Sequence, residues 1–354
     1  MEILKSKLHI ANYLPLWLHS SQETGQTAAE NYSRICTAES ERLLAGTLTT
    51  TAKNNKHANR YTDILPFEHN RFRLIGENDY INASYLNTIG AKSGSTCRLE
   101  KFIATQGPLP HTILEFWQMV AESYSNFIVM LTQEEERTRV KCARYWPNIG
   151  KIQTHEKSWP GGKLVMEVEQ IVCEKLSWGK IRDFQIKYSL YTSTDRKSTK
   201  TDNTASSVVL EQPTFTLLRC ETSFVKQFHF YNWPDQDVSN ADQVIDLISL
   251  VSDTAKLVKY SSMGPIIVHC SAGCGRTATF CTIYTILSLL STFELDTDED
   301  LVAKQVAQYR LDRIGSVQTR SQFLFCYDAI VTQLGRWYDL GVPCTWNNDQ
   351  NTRN

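Results

Sequence analysis

The run Ile266-Ile267-Val268-His269-Cys270-Ser271-Ala272-Gly273-Cys274-Gly275-Arg276-Thr277 decides how this chain is read. Its β-branched start predicts a buried strand, Pro265 to Val268, that ends at His-Cys. A loop of small residues follows, and Arg276 opens an apolar helix that continues to about Phe293. Gly273 and Gly275 let the backbone come close to a ligand. The N–H groups of Ser271, Ala272, Gly273, Cys274 and Gly275 can converge on one point, where the helix N-terminus adds about half a positive charge. Arg276 adds a planar cation able to hold two oxygens of one phosphate.

A cysteine at the mouth of such a cradle should have its pKa lowered from ~8.5 to ~3.5–7.5. Cys270 would then be a thiolate facing an anion site, which points to attack on phosphorus. Thr277 can offer the sulfur a hydroxyl hydrogen bond and ease its later departure. The plainer alternative is a structural cysteine in a helix-capping loop, but the preceding histidine, the glycine pair and the upstream strand argue against it. Cys270 and Cys274 lack histidine or cysteine partners at metal-ligand spacing, so no metal and no cofactor are expected.

Outward from this segment, the chain has 354 residues, 42% of them apolar and 21% charged, enough for a sizeable core and too apolar for wholesale disorder. Lys and Arg number 37 against 38 Asp and Glu, without the basic excess of a protein that binds nucleic acid or anionic membrane. No apolar run reaches the ~18–20 residues of a membrane span. The N-terminus shows no secretory signal and the C-terminus no lipidation box. Ten cysteines without a C-x-x-C pair suit reduced thiols, hence cytoplasm and also nucleus.

Helical periodicity runs through Ser33 to Leu44, an amphipathic helix is expected over Pro108 to Glu122, and helices dominate from Ala241 onward. Strands are expected over Tyr80 to Leu86, Lys101 to Thr105, Asn126 to Leu131, Leu164 to Val172, Ile181 to Thr192 and Phe215 to Tyr231. Ser193 to Ser207, polar and without aromatics, is expected to be a flexible insertion. No internal repeat or linker divides the core.

His269-Cys270-x5-Arg276-Thr277 resembles the signature of the protein tyrosine phosphatases, and six further motifs agree in family order. They are Asn59 to Phe67, Asp79 to Ser84, Thr105 to Leu109, Lys141-Cys142-x-x-Tyr145-Trp146-Pro147, Trp233-Pro234-Asp235 and Gln318-Thr319-x-x-Gln322. The N-terminal helices and several loops are most similar to fungal members. The resemblance implies an α/β fold, a single phosphatase domain with a highly twisted mixed central sheet flanked by helices. It implies a catalytic domain over residues 30–338, after a partly helical extension over 1–29 and before a tail over 339–354.

It also implies roles. Hydrolysis through a phosphocysteine needs an acid for the departing tyrosine oxygen and then a base for water, and Asp235 matches the family's acid. Tyr61 matches the aromatic wall of a pocket too deep for phosphoserine and phosphothreonine. Asp63 would accept N–H bonds from the substrate backbone, and Gln318 and Gln322 would place the water of the second step. Lys141 would support the acid loop, Glu136 would hold Arg276, and His269 would order the cysteine loop. The acid loop continues Gln236-Asp237-Val238-Ser239 where many relatives carry Gly and Pro, a change expected to loosen loop closure. Ala58 and Ala278 also depart from the family's usual residues without threatening the chemistry. Cys274 is a candidate resolving partner if Cys270 is oxidised.

The implied partner is a phosphotyrosine-containing protein, and the fungal likeness extends this to the activation loop of a mitogen-activated protein kinase. A phosphotyrosine-binding pseudophosphatase would lack Cys270, Arg276 or Asp235, all of which are present. Dual-specificity and phosphoinositide enzymes usually lack the Tyr61 loop and the glutamine pair, and inositide enzymes carry basic residues where Ser271, Ala272 and Cys274 are neutral.

Overall fold

The computed structural model describes residues 14–15, 17–18, 26–46, 49–90, 101–193, 214–258, 264–292 and 299–341. Helix α1 spans Gln26–Leu44 and the short α2 spans Thr50–Asn54; strands β1 (Arg71–Arg73), β2 (Tyr80–Leu86) and β3 (Phe102–Thr105) follow. Then come α3 (Ile113–Glu122), β4 (Phe127–Met130) and a small hairpin of β5 (Glu135–Glu136) and β6 (Arg139–Val140). Four long strands follow: β7 (Ile152–Trp159), β8 (Gly162–Leu176), β9 (Gly179–Ser193) and β10 (Phe215–Phe230). The chain closes with α4 (Ala241–Lys256), β11 (Ile266–His269), α5 (Gly275–Thr292), α6 (Leu301–Asp312) and α7 (Arg320–Asp339).

Nine strands form one mixed sheet in the order β1-β2-β3-β11-β4-β10-β9-β8-β7. Its centre is parallel, with β11 between β3 and β4 and with β10 beside β4; the flanks are antiparallel meanders. Parallel strands covered on both faces read as unbroken apolar runs, and β3, β4 and β11 are buried at every position. Ile103, Ile128 and Ile267 lie in register and pack toward α3, while Ala104, Val129 and Val268 face the opposite layer of α4 to α7. Helix α5, apolar but for its threonines and serines, is buried on every side from Ala278 to Leu290 apart from Ser288, which makes it the central helix of that layer.

The expected strands and helices are all present, with ends shifted by a few residues. Strand β7 was not anticipated. It is an edge strand, none of its side chains is fully buried, and its charged, half-exposed sequence leaves little apolar alternation to read. Residues 194–207 of the expected insertion lie outside the described residues, as do residues 1–13 and 342–354. No helix among the described residues is long and apolar enough to cross a membrane.

His269 ends β11 level with Thr105 of β3 and Met130 of β4. The loop carrying Cys270 therefore leaves the carboxyl ends of the parallel strands, where open α/β sheets present their ligand crevices.

Candidate active site

A cleft of about 440 Å³ opens at this edge. Its walls include Tyr61, Asp63, Lys141, Asp235, Cys270, Ser271, Ala272, Gly275, Arg276, Gln318 and Gln322, so residues more than 250 positions apart in sequence converge on one opening. Gly273, Cys274, His269 and Thr277 lie behind this surface and are buried.

The cysteine loop is shaped from behind. Arg313, fully buried, donates to the carbonyl oxygens of Gly273 at 2.6 Å and Ala272 at 2.9 Å, and to Asn82 Oδ1 at 2.7 Å. Carbonyls drawn toward Arg313 leave the loop N–H groups free to face the other way. Gly273 has φ +70°, and a Cβ there would sit 2.0 Å from the Thr105 carbonyl oxygen, so only glycine fits. Arg313 was not anticipated from sequence. An arginine whose partners are carbonyls leaves no pattern of acidic neighbours to find.

Cys270 is 3% exposed. Burial alone would push its thiol up, but the Arg276 guanidinium, Thr277 and the Gly273 amide outweigh burial and bring it below the ordinary cysteine value. The Gly273 N–H donates to the sulfur at 3.3 Å. Thr277, fully buried beside the sulfur, favours the thiolate through both its hydroxyl and its backbone N–H. The Cys274 thiol is pushed up to about 12 by burial and by its neighbour Cys270, which makes it a poor resolving nucleophile.

Arg276 is 2% exposed and donates to Glu136 Oε1 at 2.7 Å, to the Trp233 carbonyl at 2.8 Å and to Asp235 Oδ1 at 3.2 Å. Lys141 Nζ bonds the other oxygen of Asp235. The acid loop is thus seated over the cleft by two cations. Trp233 Nε1 donates to the Asp237 carbonyl at 3.1 Å, and the Ser239 hydroxyl donates to the Asn232 carbonyl at 2.6 Å, tying the two ends of the loop together. Where a loosened loop was expected from the missing proline, Ser239 supplies a tether.

His269 is fully buried and its pKa is lowered to about 4, chiefly by burial, with Arg60 and Arg276 adding to the fall. Nδ1 donates to the Cys270 carbonyl at 3.1 Å, and Nε2 accepts from the Tyr145 hydroxyl at 2.9 Å. A neutral imidazole with both nitrogens engaged is suited to ordering the loop.

On the opposite wall, the Tyr61 hydroxyl and Ser271 Oγ are 2.9 Å apart, and Ser271 Oγ donates to the Lys141 carbonyl at 3.0 Å. Arg60 anchors the Tyr61 loop by donating to the carbonyls of Gly107 at 2.9 Å and Pro108 at 2.6 Å. Asp63 is exposed at the rim. Gln322 is 1% exposed and its Oε1 accepts from the Gln318 N–H at 3.0 Å, capping α7, while the Gln318 side chain is exposed at the cleft.

The family model described as protein-tyrosine phosphatase matches residues 55–332. Tyrosine-protein phosphatase non-receptor type 13 of Homo sapiens is 34% identical over 284 residues, covering 80% of this chain and 10% of that protein. Non-receptor type 20 of Homo sapiens is 36% identical, covering 79% of this chain and 55% of that protein. Protein-tyrosine-phosphatase PTP1 of Arabidopsis thaliana is 33% identical, covering 83% and 75%. The chain thus spans a tenth and about half of the length of the two human relatives. A solved structure of PTPN18 in complex with HER2-pY1248 phosphor-peptides superposes with a TM-score of 0.65 at 26% identity, covering 87% of this chain and 99% of that one. A family match over most of the chain, together with relatives alike along four fifths of it, settles the membership: this chain belongs to the protein-tyrosine phosphatase family.

Proposed function

We propose that this protein hydrolyses phosphotyrosine in proteins through a cysteinyl-phosphate intermediate, without a metal. The observation that carries this is the Cys270 thiol, its pKa lowered, sharing one cleft with Arg276, Asp235 and Tyr61. In the first step the Cys270 sulfur attacks phosphorus, an S–P bond forms, the bond to the tyrosine oxygen breaks, and Asp235 gives that oxygen a proton. Arg276 would exchange its bond to Asp235 for the phosphoryl oxygens. In the second step water attacks phosphorus, the S–P bond breaks, and Asp235 takes the proton from water.

In this reading Ser271, Ala272, Gly273, Cys274 and Gly275 present the amides that hold the phosphoryl group, and Tyr61 stacks on the substrate ring. Asp63 binds the substrate backbone, Lys141 steadies Asp235, and Gln318 with Gln322 positions the water. Thr277 and His269 support the sulfur and its loop. Residues 30–338 form the catalytic unit between an extension over 1–29 and a tail over 339–354. The reaction needs a free thiolate, which suits cytoplasm and nucleus. Likeness to fungal members extends the proposal to phosphotyrosine in the activation loop of a mitogen-activated protein kinase.

The test is hydrolysis of a phosphotyrosine peptide beside a phosphothreonine peptide, with chelator present, for the native protein, Cys270→Ser and Asp235→Ala. Chelator-resistant, tyrosine-selective turnover, abolished by the first substitution and greatly slowed by the second, is expected. Tight phosphopeptide binding without turnover would overturn the reading. The Asp235→Ala protein then serves as a trap, and failure to capture a mitogen-activated protein kinase would remove that part of the proposal.

A further inference from the structure

Helix α1 lies wholly before residue 55, where the family match begins, yet it packs on α6 and α7 and reaches the loop between them. The Tyr32 hydroxyl donates to the carbonyl oxygen of Gln318 at 2.7 Å. One carboxylate oxygen of Glu39, a residue 7% exposed, accepts the Gly315 N–H at 3.0 Å, and the other pairs with Arg310. Arg310 in turn donates to the carbonyls of Ser316 and, at 2.8 Å, Val317. The backbone of residues 315–318 is therefore held at each residue from α1 or through Arg310.

The loop needs this grip. Val317, fully buried, has φ +54°, a left-handed conformation that a β-branched residue adopts only when its surroundings over-determine it. The Tyr32 ring packs 5.3 Å from that of Phe323 and lies 5.7 Å beneath the Arg310 guanidinium. Burial, partly offset by Arg310, raises the Tyr32 phenol to about 12, so it remains a donor. The Gln318 side chain is exposed, and its backbone carbonyl is the atom that Tyr32 grips.

We propose that Tyr32 and Glu39 are positioning residues for the second half of the reaction, setting through this loop where the Gln318 amide holds the attacking water. The inference rests on the reading of Gln318 given above. When water attacks, its oxygen bonds phosphorus, the S–P bond breaks with its electron pair returning to Cys270, and the proton goes to Asp235. When the amide is displaced, an alcohol such as glycerol competes: its oxygen takes the phosphoryl group, the same bond breaks, and its proton goes to Asp235. Formation of the phosphoenzyme uses Cys270, Arg276 and Asp235, whose bonds run to other elements.

Rapid mixing with an aryl phosphate, with and without glycerol, compares the native protein, Tyr32→Phe, Glu39→Gln and Gln318→Ala. Losing one hydrogen bond should lower kcat of Tyr32→Phe about three- to tenfold while kcat/KM stays within about twofold. A burst near one phenol per enzyme and a larger share of phosphoryl transfer to glycerol should accompany this. Glu39→Gln should move the same readouts in the same direction. If kcat and kcat/KM of Tyr32→Phe fall in the same proportion, or kcat, burst and partition do not move, the inference is overturned. A burst in Gln318→Ala without one in Tyr32→Phe overturns this inference alone. No burst in Gln318→Ala overturns the reading of Gln318 and takes this inference with it.

Discussion

The guanidinium of Arg313 holds the carbonyl oxygen of Gly273 at 2.6 Å, from the side of the cysteine loop away from the cleft. It is a buried cation engaged with carbonyl, amide and hydroxyl oxygens rather than with a carboxylate, and its work is to turn a peptide loop. Arg313→Lys keeps the charge and loses the planar fork that spans Gly273 and Ala272. We expect kcat/KM to fall about ten- to hundredfold, less than the ~10²–10³ of losing an oxyanion donor outright. Vanadate inhibition should weaken in proportion; weakened turnover with unchanged vanadate affinity would count against this role.

The lowered Cys270 thiol makes alkylation a direct titration. Below its folded-state pKa the sulfur is protonated and unreactive; above it the thiolate reacts. The midpoint for Cys270 modification by iodoacetamide should fall below the ~8.5 of an ordinary cysteine. Arg276→Ala removes the largest stabilising charge and should move that midpoint upward. Mass spectrometry of the modified peptide at a series of pH values reads both.

The Ser239 tether on the acid loop should matter most when the leaving group most needs a proton. Ser239→Ala loses one hydrogen bond of about 0.5–1.5 kcal/mol. The turnover of phenyl phosphate should drop by about three- to tenfold, and that of a nitrophenyl ester, whose oxygen leaves without much help, by less. Equal losses on both substrates would separate the tether from proton transfer.

His269 predicts the acid side of the stability curve. Its folded pKa of about 4 lies below the ordinary 6.5, so the unfolded chain binds the extra proton between these values. Stability should fall as pH drops through that window, by about 3 kcal/mol from this group once pH is below 4. His229, lowered by burial and by Arg182, acts in the same direction. Urea unfolding at pH 7 and pH 4.5 should show a smaller difference for His269→Asn than for the native protein.

What could be read in advance follows from how each contact is written in the chain. The unbroken apolar runs of β3, β4 and β11 announce a covered parallel centre, and the cysteine loop announces its own chemistry through spacing. Edge strand β7 carries no such run. Arg313 grips carbonyls, which every residue possesses, and Tyr32 meets Gln318 across 286 positions of sequence. Tertiary contacts between a side chain and a distant backbone group were the part that remained hidden.

A cradle already turned toward its anion by Arg313 has no means of telling an arriving phosphoryl ester from the inorganic phosphate it has just released. The same amides and the same guanidinium meet both. On the proposed reaction, turnover should therefore slow as orthophosphate accumulates, competitively with substrate, and the ambient phosphate concentration becomes a standing brake on how quickly a tyrosine signal is erased.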